Sequence, residues 1–250
     1  MQRRLVARDH REAYDFWARH FSDPALMANR DVETTRQKIA RLARQLPLEP
    51  SSCVLDVGPG DGALFRLVAG SVRRCCGVDP SDAAVSKLAS LFRDATNVEF
   101  VVGSAEEIPC PDDEFDVVVI NSVLHSLPSM QNVGRSLEEL VRVCKPGGLI
   151  FVGELPFRSE LDRGILVHMA RKLSEFGMRA FVRNLWATYA QPLLRGEPMV
   201  LYPAVNLHVS EHEFQAMCTQ HVASVEARRH QELRRPSSTR NDYLLRLPPR

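Results

Sequence analysis

The stretch Val54-Leu55-Asp56-Val57-Gly58-Pro59-Gly60-Asp61-Gly62-Ala63-Leu64 constrains this chain more than any other. An apolar run closes on an acid, alternate glycines follow, and Leu64, Leu67 and Val68 begin a helical pattern. The order predicts a strand, a tight turn and a helix start. Glycines in such a turn let backbone approach a ligand closely, because no Cβ stands in the way. The helix start turns N–H groups toward whatever sits there. The turn is therefore the expected ligand site.

The rest of the chain is arranged around it. Residues 8–21 carry Ala13, Phe16, Trp17 and His20 at helical spacing. Residues 31–46 predict a second helix, with Asp31 as N-cap and Ile39, Leu42, Ala43 and Leu46 on one face. No strand is expected before these two helices. From Cys53 the pattern alternates. Strands are expected at Cys53–Val57, Arg74–Asp79, Val98–Val102, Phe115–Ile120 and Leu149–Val152. Helical stripes fall between most of them, Ser81 caps one, and Lys145-Pro146-Gly147-Gly148 reads as a turn. Such repeats imply a doubly wound α/β fold, a parallel sheet with helices on both faces. The alternation stops at residues 158–209, a mostly helical pattern broken by Gly177, Pro192, Pro198 and Pro203, which reads as an inserted cap. Ser210 then caps a helix, and Val222–Arg228 and Asp242–Leu247 predict two closing strands. The expected division is a core of residues 1–157 and 210–250 with a cap of residues 158–209.

Composition narrows the function. A chain of 250 residues, 44% of them hydrophobic, can bury one sizeable core. A net charge of +1 gives no global pull toward nucleic acid or membrane. The basic clusters near Arg3-Arg4 and Arg228-Arg229 are interrupted by acids and read as solvated faces. The six cysteines include no Cys-x-x-Cys pair and read as buried hydrophobes in a reducing compartment. Without a signal-peptide core or an apolar run of about 18 residues, the expectation is a soluble cytoplasmic protein.

The acid inside the glycine motif argues against a pyrophosphate ligand, which a carboxylate at Asp56 would repel, and for a cofactor with a cationic amino group. Asp79 follows Asp56 by 23 residues, close to the spacing at which a carboxylate reaches an adenosine ribose. An adenosine, an ammonium and no pyrophosphate describe S-adenosylmethionine. Further stretches fall in a telling order. These are Gly77-Val78-Asp79-Pro80-Ser81, Gly103-Ser104-Ala105-Glu106-Glu107-Ile108-Pro109, Phe115-Asp116-Val117-Val118 leading to Asn121-Ser122-Val123-Leu124-His125, and Lys145-Pro146-Gly147-Gly148. With them, residues 50–155 resemble the class I S-adenosylmethionine-dependent methyltransferases, in the branch that acts on small molecules. The resemblance implies a seven-stranded sheet whose last strand is antiparallel, a count that the two closing strands complete.

The resemblance also implies roles. Gly58, Pro59 and Gly60 pack on the methionine part and the ribose. Asp56 orders the turn or holds the amino group. Asp79 binds the ribose hydroxyls, and Pro80 with Ser81 lies along the adenine. Ser104, Ala105 and Glu106 bracket the adenine edge, and Asn121 with Ser122 lies beside the methionine moiety. Ser104 departs from the acid that the family usually has for the adenine amino group; its hydroxyl, the backbone or Glu106 is the substitute. Tyr14, on a helix that folds over the cofactor in relatives, touches the methionine end, with core packing as the competing role.

Methyl transfer asks for alignment of nucleophile, carbon and sulfur, and for exclusion of water. An oxygen or ammonium acceptor must also lose a proton. His125, at the C-terminal edge of the sheet, is the candidate base, and packing under the cofactor is the competing role. His168, His208, Trp186 and Tyr189 could face the acceptor, and Arg30 or Arg36 the cofactor carboxylate. Asp116 and Asn121 lack the rest of a metal-ligand pattern, so no metal is expected. The function expected is transfer of a methyl group to an oxygen or nitrogen of a small molecule, by a monomer or homodimer. The alternatives are a cofactor-binding protein with a regulatory or non-methylating role, and a nicotinamide oxidoreductase.

Overall fold

All five residues of Cys53–Val57 are buried. A strand buried on both faces belongs in the middle of a covered sheet. The structure, a computed structural model, describes residues 4–6, 10–20, 32–157, 178, 199–201, 207, 209–231 and 236–249. In chain order the elements are β1 (Arg4–Val6), α1 (His10–His20), α2 (Val32–Ala43), β2 (Cys53–Val57), α3 (Ala63–Val68), β3 (Arg74–Asp79), α4 (Asp82–Leu91) and β4 (Val98–Val102). Then follow β5 (Phe115–Asn121), α5 (Met130–Val143), β6 (Cys144–Pro156), β7 (Met199–Leu201), α6 (Glu211–Cys218), β8 (Ser224–Gln231) and β9 (Pro236–Arg246).

Seven strands form one sheet in the order β4-β3-β2-β5-β6-β9-β8. Neighbours are parallel except that β9 runs antiparallel to both β6 and β8. This is the expected doubly wound architecture with its antiparallel closing strand. Successive residues serve opposite faces. Val54, Val117, Val119 and Phe151 pack with Leu42 of α2 and Phe65 of α3. Leu55, Val118, Ile120 and Val152 pack with Leu137 of α5 and Phe214 of α6.

Two expectations are corrected. A strand does precede the first helices: β1 pairs in parallel with β7 in a separate two-stranded sheet, Arg4 opposite Met199 and Val6 opposite Leu201. The Lys145–Gly148 segment is not a turn between elements but part of β6. A register shift between Phe115 and Val117 of β5, with Gly147 at φ +76°, absorbs it as an irregularity. Asp31 and most of the expected cap lie outside the described residues; of 158–209, the structure describes Met178, Met199–Leu201, Leu207 and Val209. No described helix is long and apolar enough to cross a membrane.

Strand β2 has β3 on one side and β5 on the other. Connections leave it in opposite directions, which opens a crevice at the strands' C-terminal ends, the place where open α/β sheets take ligands.

Candidate functional site

The turn after β2 forms one wall of that crevice. Gly58, Gly60 and Gly62 all have positive φ, 74°, 57° and 75°. At Gly58 a Cβ would also meet Val123 Cγ2 at 2.5 Å, so conformation and space both demand glycine there. The Gly58 N–H donates to the Val78 carbonyl at 2.8 Å, tying the turn to β3, and the Gly62 N–H donates to Pro59. Helix α3 is only six residues long, and Asp61 Oδ1 already accepts its first N–H, from Ala63, at 3.1 Å. The first N–H of the helix thus goes to the protein's own acid, while Ala63 and Leu64 at the helix start line the cleft.

Acids dominate the electrostatics. Asp56 is buried, and that burial, with repulsion from Asp61 and then Asp79, pushes its carboxyl up to about 7. Burial likewise pushes Asp79 up to about 6, against the lowering effect of the Ser81 N–H that it accepts at 2.9 Å. The Ser81 hydroxyl serves twice. It accepts from Ala84 N as the N-cap of α4, and it donates to Asp15 Oδ1 on α1 at 2.8 Å. Ala18 of α1 packs on Ala84 of α4. Helix α1 is thus anchored at the end of β3, with Tyr14 in the cleft wall.

The cleft holds about 1110 Å³ including its open mouth. It brings together Tyr14, Asp56, Gly58–Gly60, Asp79, Pro80, Asn121 and Ser122 from four separate segments. Ile39 and Leu42 of α2 also line it, although their stripe reads from sequence as core alone.

Ser104, Ala105, Glu106 and His125 are not brought to this cleft. Ser104 and Glu107 close a backbone bridge, Ala105 is buried, and Glu106 Oε1 accepts from Asn132 Nδ2 at 3.1 Å. His125 is buried in a short 3-10 turn, Leu124–Ser126, and its carbonyl accepts from Leu207 N at 2.8 Å. Arg36 is exposed on α2. Asp116 is drawn elsewhere: its carboxylate accepts from Cys53 N at 2.7 Å and from Lys145 Nζ at 2.8 Å. The Trp17 side chain, Arg30, His168, Trp186, Tyr189 and His208 lie outside the described residues.

Residues 55–152 match the family model of the methyltransferase domain. Together with the strand order and the acid-lined glycine turn, this makes the stretch a methyltransferase domain of the class I kind, whose cofactor is S-adenosylmethionine. The chain is 33% identical over 111 residues to the ubiquinone/menaquinone biosynthesis C-methyltransferase UbiE of Vibrio campbellii, covering 42% of each. It is 31% identical over 126 residues to the 27-O-demethylrifamycin SV methyltransferase of Amycolatopsis mediterranei, covering 49% of this chain and 45% of that protein. The chain thus spans less than half the length of the curated relatives it matches. In fold it resembles the N-methyltransferase NodS of Bradyrhizobium japonicum in complex with S-adenosyl-L-homocysteine. The TM-score is 0.60 at 16% identity, over 94% of this chain and 98% of that one.

Proposed function

We propose that this chain transfers a methyl group from S-adenosylmethionine to an oxygen or nitrogen atom of a small molecule. The observation that carries the reading is the cleft's charge: Asp56 and Asp79 are held in a cavity where burial, with repulsion from Asp61 and Asp79 at Asp56 and from Asp15 at Asp79, opposes ionisation. A cationic ligand relieves that cost, and a pyrophosphate increases it. The cofactor supplies a methyl group already activated on a sulfonium. The chain's residues bind and orient. Asp79 accepts from the ribose hydroxyls, Pro80 lies along the adenine, and Asp56 orders the turn or takes the ammonium. Gly58–Gly60 give the ligand close backbone approach. Asn121 and Ser122 flank the methionine end, and Tyr14 on α1 covers it and keeps water out.

The test is transfer of tritium from methyl-labelled S-adenosylmethionine to a panel of phenols, sugars, hydroxy acids and amines. Labelled O- or N-methyl products are expected. Label found only on carbon would overturn the choice of acceptor atom, and cofactor binding without turnover across the panel would favour a regulatory or non-methylating role.

A further inference from the structure

Beside the cofactor cleft lies a second, smaller cavity of about 320 Å³ with its open mouth included, whose interior has room for little more than a hydroxyl-sized group. The two share Ile39, Leu42 and Asn121 as walls. The second is closed by Phe151 and Glu154 of β6, His230 of β8 and Asp242 of β9, with Lys38 and Arg41 on the α2 side. Glu154 and His230 are brought there by two breaks in strand register. One lies between Val152 and Leu155 of β6, opposite Asn241–Tyr243 of β9, and the other between Arg229 and Gln231 of β8, opposite Pro236–Asn241, so the two meet at Asn241. Glu154 sits in the first break at φ +56°, and its N–H donates to Asp242 Oδ1 at 2.8 Å. His230 sits in the second. Bulges beside sites re-aim side chains, and a left-handed non-glycine residue persists only where its surroundings hold it.

His230 is 8% exposed. Its Nδ1 lies 2.9 Å and 3.0 Å from the two Asp242 oxygens. A carboxylate only accepts, so Nδ1 carries a proton, and in the neutral ring Nε2 carries the lone pair. Nε2 is buried without a hydrogen-bond partner among the described residues. The nearest acid is Glu154, with Oε1 at 3.8 Å, beyond hydrogen-bond reach. Glu154 faces two cations: Lys38 Nζ lies 3.7 Å and Arg240 Nη1 3.4 Å from its carboxylate. Arg41 lines the α2 side, and Arg229 donates to Asn241 beside Asp242. A buried imidazole with one nitrogen fixed by a carboxylate and the other bare, at the wall of a ligand cleft, has the arrangement of a general base with its orienting acid.

We propose that this cavity takes the reacting hydroxyl of the methyl acceptor and that His230 Nε2 removes its proton, with Asp242 as the positioning residue. The inference rests on the methyltransferase reading and narrows its acceptor to an alcohol or phenol. In the step, the acceptor O–H proton passes to Nε2 and the oxygen bonds to the methyl carbon. The carbon–sulfur bond breaks with its electron pair left on sulfur, and the product is an ether beside a neutral thioether. Asn121, common to both cavities, stands between hydroxyl and methyl.

The test uses the full chain as wild type, His230→Asn and Asp242→Asn. Asparagine at 230 keeps a donor for Asp242 and lacks Nε2. Calorimetry with S-adenosylhomocysteine comes first. Wild type and His230→Asn should bind it within about threefold of each other, and no binding to wild type would overturn the underlying methyltransferase reading instead. Long-range proton–nitrogen NMR should then assign His230 as protonated on Nδ1 and bare on Nε2. Phenol, added with S-adenosylhomocysteine, should shift Nε2 of His230 more than any other imidazole nitrogen, and Asp242→Asn should lose that response. With the best hydroxyl acceptor of the panel, His230→Asn should lower turnover at least about a hundredfold. A protonated Nε2 in wild type, phenol shifts centred on His125, or turnover in His230→Asn within threefold of wild type would overturn the proposal.

Discussion

Replacing Asp56 by Asn separates what this carboxylate costs the fold from what it contributes to binding. Its carboxyl is pushed from the ordinary 3.8 up to about 7, by burial first and by Asp61 and Asp79 second. Between those two values the unfolded chain has already lost a proton that the folded chain still holds. Stability of the ligand-free protein therefore falls as pH rises from about 4 to about 7. At about 1.36 kcal/mol per pH unit the full gap is roughly 4 kcal/mol above pH 7, and roughly 1.6 kcal/mol of it is present at pH 5. Water in the open cleft screens the charge, so roughly 4 kcal/mol is a ceiling. Asn carries no charge to desolvate. Asp56→Asn should therefore be the more stable protein without ligand, by up to about 8–16 °C in Tm at pH 8 at about 2–4 °C per kcal/mol, with the gap narrowing toward pH 5. The same variant should bind S-adenosylmethionine about 10- to 100-fold more weakly, because a charge-assisted hydrogen bond of about 1.5–3 kcal/mol is lost. Differential scanning fluorimetry from pH 5 to 8.5, with and without cofactor, reads both effects. A variant less stable than wild type at pH 8, or a gap that does not change with pH, would refute the reasoning.

Other substitutions test separate parts of the site. Gly58→Ala puts a side chain at φ 74° and a methyl group 2.5 Å from Val123 Cγ2. It should cost about 2–4 kcal/mol in a denaturant melt and abolish cofactor binding. Ser81→Ala removes the cap on Ala84 N and the bond to Asp15. About 1 kcal/mol of stability should go, and the cofactor should dissociate faster in stopped-flow as α1 loosens. Asp116→Ala leaves Cys53 N and Lys145 without this carboxylate. It should cost about 1–3 kcal/mol by urea unfolding and leave cofactor affinity unchanged, because the contact lies outside the cleft.

The architecture was legible where chemistry is local. The strands of the main sheet other than β8 announce themselves by a short apolar run, and Ser81 and Ser210 mark helix starts through their own side-chain caps. The cofactor cleft was legible for a similar reason: an acid, alternate glycines and a second acid at the next strand end lie within one short span. What escaped depends on distant partners. Three residues of β1 become a strand only because Met199–Leu201 lies beside them. Lys145-Pro146-Gly147-Gly148 has turn composition, yet β5 holds it in β6 through an irregular register. Glu106 could stand in for the adenine contact by spacing alone, but Asn132 on α5 engages it. His230 follows Arg228-Arg229 and reads as part of a solvated face. Only the hairpin register of β8 and β9 reveals that it turns inward to Asp242.

The central claim is that the acid-lined glycine turn holds a cationic adenosine cofactor and rejects a dinucleotide. Isothermal titration of the full chain at pH 8 with S-adenosylmethionine, and separately with NAD, tests it most directly. The account predicts saturable one-site binding of S-adenosylmethionine, weakened by Asp56→Asn, and no heat of binding from NAD. Binding of NAD with none of S-adenosylmethionine would contradict it.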